Sequence, residues 1–255
     1  MEGVIMEVKA IDSHTHINHG SNSDSPNEGK CYTAYLDKLL EMNEAAGIEK
    51  MFCSTFASVI NANVIEEEND YMYRLASEVD CLYQWVVIDP RNDRTFEQAK
   101  RMLNCDKCVG IKLHPLNHKY ELEKYGDKIF SFAAQYHAIV QIHPQKAADY
   151  ILPMANKYPE VTFIMAHLGD EKYVDAIAFS RHGNVYVDTS GIASSKNRVI
   201  EYAVGKVGSE RILFGTDTYA PGFQRGRIEY ALISQKDKEN ILRNNAQRLF
   251  RDIFT

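Results

Sequence analysis

The stretch Val8-Lys9-Ala10-Ile11-Asp12-Ser13-His14-Thr15-His16-Ile17 reads as a strand whose polar residues, Asp12, His14 and His16, recur at every second position. A strand repeats every two residues, so these three side chains are expected on one face. Two imidazoles placed this way on a rigid strand can grip one metal ion from adjacent directions. Alone the pattern is weak, because a His-x-His strand is often just two half-buried polar residues. Its meaning depends on whether distant parts of the chain supply further ligands.

Seven more short apolar runs follow: Ile48–Phe56, Cys81–Ile88, Cys108–His114, Ala138–His143, Val161–His167, Val185–Ser190 and Arg211–Asp217. Most are rich in Val, Ile, Phe and Tyr, as strands buried on both faces should be. Helical patterns lie between them. Thr33–Ala46 gathers Leu36, Leu39, Leu40 and Met42 near one face, with Gly47 as a stop. Similar patterns cover Asn63–Val79, Arg94–Asn104, Gly126–His137, Gln145–Tyr158 and Glu171–Arg181, with weaker ones at Ser194–Val207 and Gln224–Leu232. A closing helix is expected near Asp237–Phe250, with Asp237 as its cap. Strands recurring about every thirty residues signal βα units and a parallel sheet. Eight such units predict an α/β fold, a closed (β/α)8 barrel, with residues 1–255 as a single domain.

The 255-residue chain is long enough for such a barrel, and its 45% hydrophobic and 25% charged residues suit a soluble globular protein. A net charge of −6 argues against general nucleic-acid binding. No apolar run reaches the length of a membrane span, and no secretory signal is visible at the N-terminus. The five cysteines, Cys31, Cys53, Cys81, Cys105 and Cys108, are odd in number and fit a reducing cytoplasm. Cys105 and Cys108 have zinc-ribbon spacing but no second close pair, so they read as unlinked thiols. Two segments, His19–Lys30 and Thr218–Gly226, read as loops at strand ends, where a lid over a substrate would sit.

The strand ends carry the chemistry. The first ends in His14 and His16, the fourth in Gly110-Ile111-Lys112-Leu113-His114-Pro115, the fifth in His143 and the sixth in His167. The eighth ends in Phe214-Gly215-Thr216-Asp217. In a barrel these ends converge on one mouth. Each residue has an ordinary structural use, such as a strand-end cap or a turn. Their accumulation on one rim favours a metal site. His19 and His118 read as loop residues, and His137 and His182 as residues closing helices.

These motifs resemble the amidohydrolase superfamily, and within it the amidohydrolase-2 branch, which holds aminocarboxymuconate-semialdehyde-decarboxylase-like enzymes along with hydrolases and hydratases. The opening Asp12-Ser13-His14-Thr15-His16, the fourth-strand motif and Ala166-His167-Leu168-Gly169 carry the resemblance. So do Asn184–Gly191, Arg211–Asp217 and Asn245–Phe250, and together they span nearly the whole chain. TatD-type nucleases share the opening but resemble one another in a strand-four glutamate, where this chain has Lys112 and His114. PHP-type phosphoesterases need more His and Asp ligands in another order.

The resemblance implies one divalent ion, zinc first with manganese, iron or cobalt as alternatives, held by His14, His16, His143 and Asp217. The ion would lower the pKa of bound water from ~16 toward ~7. His167 is then expected as general base or electrostatic partner, with Asp217 also moving a proton. Lys112 and His114 are expected to bind an anionic or carbonyl oxygen of a small substrate. A carboxylated Lys112 bridging two ions is the alternative use of that lysine. Arg91, Lys119 and Arg225 are candidate cations for a substrate carboxylate. Hydrolysis comes first as the expected reaction, with non-oxidative decarboxylation as the alternative, and a homodimer is compatible with the family.

Overall fold

The computed structural model describes residues 8–20, 34–143, 147–251 and 254. Eight strands form one sheet in chain order: β1 (Ala10–Ile17), β2 (Ile48–Thr55), β3 (Leu82–Val87), β4 (Cys108–Leu113), β5 (Ile139–Ile142), β6 (Thr162–Met165), β7 (Val185–Asp188) and β8 (Ile212–Leu213). Every neighbouring pair is parallel. The strands are apolar because helices cover their outer surface and side chains fill the inside. β8 is short, and the backbone after it closes the ring. Ser13 N donates to Phe214 O at 2.9 Å, and Asp217 N donates to His14 O at 2.8 Å. All eight expected strands and the (β/α)8 barrel are present.

The outer helices bury apolar stripes against this sheet. Ile65–Glu78 turns Ile65, Met72 and Ala76 inward, with Glu68 and Asn69 buried beside them, and leaves Glu67, Arg74 and Glu78 exposed. The thiols of Cys53, Cys81, Cys105 and Cys108 are free. Gly110 marks a tight place: at φ 151°, a Cβ there would run into Ile139 O and the Trp85 ring. Only glycine lets β4 approach β5 and the core at that point.

At the N-terminal end of the strands a separate apolar cluster plugs the barrel. Ile11, Phe52, Trp85, Val109 and Leu213 meet Phe250 of the closing segment. Phe52 and Trp85 meet the Phe250 ring edge-on, at 4.8 and 5.8 Å between centroids. That closing segment differs from expectation in where it starts. Ser234, not Asp237, is the cap: its Oγ accepts from Asp237 N at 3.2 Å. The run then passes through a π-helical turn at Asn240–Asn244, where Ile241 O accepts from Phe214 N at 3.0 Å. The wider turn lets the closing segment tie down the strand end that carries Asp217.

The expected loop Thr218–Gly226 is mostly helix, Pro221–Glu229, because Pro221 at the first turn is preset for helical φ. Most of the expected loop His19–Lys30 lies outside the described residues. None of the described helices is long and apolar enough to cross a membrane.

Candidate metal centre

His14, His16 and Asp217 converge at the C-terminal end of the barrel. Their ligand atoms lie within 4.8 Å of one another. Asp217 Oδ1 stands 3.5 Å from His14 Nε2 and 3.3 Å from His16 Nε2. The period-two reading of β1 needs one amendment. Between Asp12 and Thr15 the register with β2 slips, so β1 carries an extra residue there. Such a bulge re-aims side chains beside active sites. The two imidazoles reach Asp217, while Asp12 does not join them. Its Oδ1 accepts from His14 N at 3.1 Å and from Thr216 N at 3.0 Å, and its Oδ2 accepts from the Thr216 hydroxyl at 2.6 Å. Asp12 is thus the clamp across the β1–β8 seam.

Thr218 completes the clamp: its hydroxyl lies 2.7 Å from both His16 N and His16 O. Asp217 and Thr218 hold left-handed backbones, at φ 52° and 72°. That conformation is strained for residues with a Cβ and persists only where surrounding bonds over-determine it. Here the bonds to Asp12, His14 and His16 do so.

His167 also sits in the left-handed region, at φ 63°. Its ring centroid is 5.0 Å from that of His14. Ser190 joins the two rings, with Oγ 3.0 Å from His14 Nδ1 and 2.9 Å from His167 Nδ1. Gly191 makes room for this, since a Cβ there would lie 2.6 Å from His167 Nδ1. Asp188, at the end of β7, holds His14 Nδ1 at 3.0 Å through Oδ2. A hydrogen on Nδ1 leaves the Nε2 lone pair of His14 free for an ion.

His14, His167 and Asp188 also gather their ligand atoms within 4.8 Å. Asp188, however, is already spent. It accepts from His167 N, Ser190 N, the Ser190 hydroxyl and Gln141 Nε2 as well as His14. The set of His14, His16 and Asp217 is therefore the better cation site. Two imidazole nitrogens and one carboxylate oxygen are donors that suit a divalent ion.

Lys112 is fully buried, with Nζ 2.7 Å from His14 Nε2 and donating to Gln141 Oε1 at 2.8 Å. His143 is placed one ring away from the three converging ligands. Its Nδ1 lies 3.3 Å from His167 Nε2, and its ring stacks on His114 at 3.9 Å and 17°. His114 in turn is held by Asn117, whose backbone N donates to its Nδ1 at 3.3 Å.

Burial sets the electrostatics. Desolvation pushes the His14 imidazole down to about 3, with the nearby Lys112 charge adding to the effect. Desolvation also lowers His16 and His114, and takes His143 to about 2. These rings are neutral, the state in which imidazole binds metal. Burial brings Lys112 down to about 8, while the Asp188 and Asp217 charges oppose the shift. For Asp217 burial alone would raise the pKa, but the His16 hydrogen bond and the surrounding imidazoles hold it well below the usual carboxylate range. Asp188 follows the same pattern, with His14 as its main partner after burial.

The expected substrate cations fare unevenly. Arg91 is paired with Asp89, at 2.6 Å, and with the His118 carbonyl. Lys119 is exposed. Arg225 is at the wrong end of the barrel: it caps the carbonyls of Val8, Ala46 and Gly47, which precede β1 and β2, and pairs with Glu229. The sequence reading gave no role to Asp188, Ser190 or Gln141. A polar residue ending an apolar run, the signal that marked Asp217, also marks Asp188.

No curated protein matches the chain. Solved structures do match it in fold. A 2,6-dihydroxybenzoate decarboxylase from Rhizobium aligns at a TM-score of 0.73 and 17% identity, over 95% of this chain and 98% of that one. A dihydroxybenzoic acid decarboxylase from a Polaromonas species, with bound manganese and 2-nitroresorcinol, gives 0.74 and 16%, over 95% and 96%. A probable 2-pyrone-4,6-dicarboxylic acid hydrolase from Acinetobacter baumannii gives 0.70 and 16%, over 95% and 99%. A family model for amidohydrolases matches residues 11–251, nearly the whole barrel, and the chain belongs to that amidohydrolase family.

Proposed function

We propose that this enzyme removes CO2 without oxidation from a small carboxylated molecule, using one divalent ion held by His14, His16 and Asp217. His143 is the candidate fourth ligand. The observation that carries the reading is the convergence of those three ligand atoms beside a buried lysine. When bound, the ion supplies Lewis acidity and polarises a substrate oxygen. Manganese has support from the structural relative that carries it, and zinc from the donor types.

The chain's own residues do the rest. Lys112 shares the His14 Nε2 lone pair with any ion placed there, so a loaded site frees its amine. That amine is drawn to about 8 by burial, remains largely cationic at neutral pH, and can pair with a carboxylate or carbonyl oxygen. His167, held by Ser190 and facing His143, is the group placed to pass a proton to the substrate carbon. The proton takes the electron pair of the breaking C–C bond, and CO2 leaves.

Hydrolysis is the second reading. The probable 2-pyrone-4,6-dicarboxylic acid hydrolase among the structural relatives supports it, with His167 as the group beside the ion that would take a proton from water attacking an ester or lactone. The order of these readings reverses the one taken from sequence. Decarboxylases outnumber the hydrolase among the three structural relatives named above. Manganese- or zinc-reconstituted enzyme, assayed with ortho-hydroxybenzoates, unsaturated carboxylic acids and small lactones, tests both. CO2 release with the proton-replaced product is expected, and ring opening or acid release without CO2 would replace this reading with hydrolysis. Two ions per chain with carboxylated Lys112 would overturn the one-ion reading.

A further inference from the structure

On the same end of the barrel as the metal centre lies a cavity of about 480 Å³, lined by His19, Ala57, Ile60, Asn61, Val64, Glu67 and Glu68. Its walls come from the segments directly after β1 and β2, on the same end of the barrel as His14 and Asp217. Phe56, at the start of the β2 segment, touches the His16 ring at 5.1 Å between centroids. The metal centre does not use this cavity.

Glu68 decides what the cavity can hold. The residue is only 5% exposed. Its Oε1 is committed to His19 Nδ1 at 2.7 Å, and the His19 ring is fixed by stacking on Tyr71 at 3.6 Å. Its Oε2 is buried and, among the described residues, has no hydrogen-bond partner. A buried carboxylate oxygen without a donor is costly, so such atoms ordinarily have a partner. Glu67 adds a second carboxylate to the wall, and among the described residues neither a lysine nor an arginine lines it. Ala57, Ile60 and Val64 supply the apolar part of the lining.

We propose that this cavity is a subsite for a protonated primary amine carried on a short apolar stem, with Glu68 Oε2 as its acceptor. The terminal torsion of a glutamate is soft, so the carboxylate turns toward an arriving ammonium at little cost. The stem rests on Ile60 and Val64. The volume suits a small organic molecule. As a statement about substrate it rests on the catalytic reading above. It then adds a cationic end to a molecule whose oxygen faces the ion and Lys112.

Titration calorimetry of the metal-loaded protein with n-butylammonium, n-butanol and n-butyrate tests it. Saturable binding of butylammonium is expected, undisplaced by n-butanol or n-butyrate. Glu68→Gln, checked for fold by circular dichroism, should weaken it at least about tenfold, the scale of a lost charge-assisted hydrogen bond. Val64→Trp leaves the Glu68 carboxylate in place but fills the cavity with bulk, and should abolish binding. Absence of saturable binding, or full affinity in a folded Glu68→Gln or Val64→Trp protein, overturns the subsite. Butylammonium should still bind to His14→Ala. Failure of the catalytic reading would instead appear as wild-type enzyme that releases no product from any substrate tested, with amine binding unchanged.

Discussion

The two ends of this barrel are built from the same eight strands and obey opposite rules. At the N-terminal end, Ile11, Phe52, Trp85 and Phe250 fill the interior with apolar volume. At the C-terminal end, His14, Lys112, Gln141 and Asp188 are equally buried but tied by hydrogen bonds. The first end is stabilised by area and shape. The second is stabilised only while every polar partner is present, because an unpaired buried polar group is expensive. It also stores backbone strain at His167 and Asp217. The lesson is a division of labour, in which the apolar end secures the fold and leaves the mouth free to hold neutral imidazoles and ionised carboxylates side by side.

Removing one ligand at the mouth should separate the two ends most strongly. His14→Ala should abolish metal binding and lower activity by on the order of a thousandfold or more, since an ion supplies several kcal/mol of charge stabilisation. Metal content by plasma emission and product release check it. Retained metal would mean the ion sits elsewhere. At the opposite end, Phe52→Ala should cost about 3–5 kcal/mol of stability in urea unfolding and leave metal affinity near that of the wild type. If metal is lost as well, the two ends are not separable.

Asp188→Asn probes the support of the mouth rather than its ligands. It should weaken metal binding by roughly 10–100-fold, because His14 loses the partner that orients its ring. Gly191→Ala is gentler in chemistry but strained. At φ 60°, with the new Cβ against His167, it should destabilise the protein by about 1–3 kcal/mol. Activity should fall while metal content holds, because His167 moves and the ligands do not.

The smallest effect concerns pH and belongs to the apolar end. Burial raises the Cys108 thiol to about 12 from an ordinary 9.0. Above pH 9 the unfolded chain gives up this proton first, so folding stability is full below that pH and declines toward 12. Cys108→Ala should flatten the decline in urea midpoint between pH 9 and 11. An unchanged slope would assign it to other groups.

The sequence by itself determined the repeat. Eight apolar runs separated by amphipathic ones specify eight parallel strands, since only a sheet covered on both faces buries them. It also marked His14, His16 and Asp217, because a polar residue ending an apolar run stands out. The tertiary structure decided how those residues are used. Asp12 looks like a third member of the His14–His16 face, yet the bulge in β1 sends it to clamp Thr216. Arg225 looked close to the mouth because it follows β8 in the chain. The helix Pro221–Glu229 instead carries it to the far end, onto the carbonyls before β1 and β2. Asp188 and Ser190 become supports only because β7 lies beside β6 and reaches β1 across the barrel mouth. Local periodicity can write strand and helix, because each depends on neighbours in sequence. Which buried donor meets which acceptor depends on contacts such as Thr216 with Asp12, 204 positions apart, and those exist only after the barrel has closed.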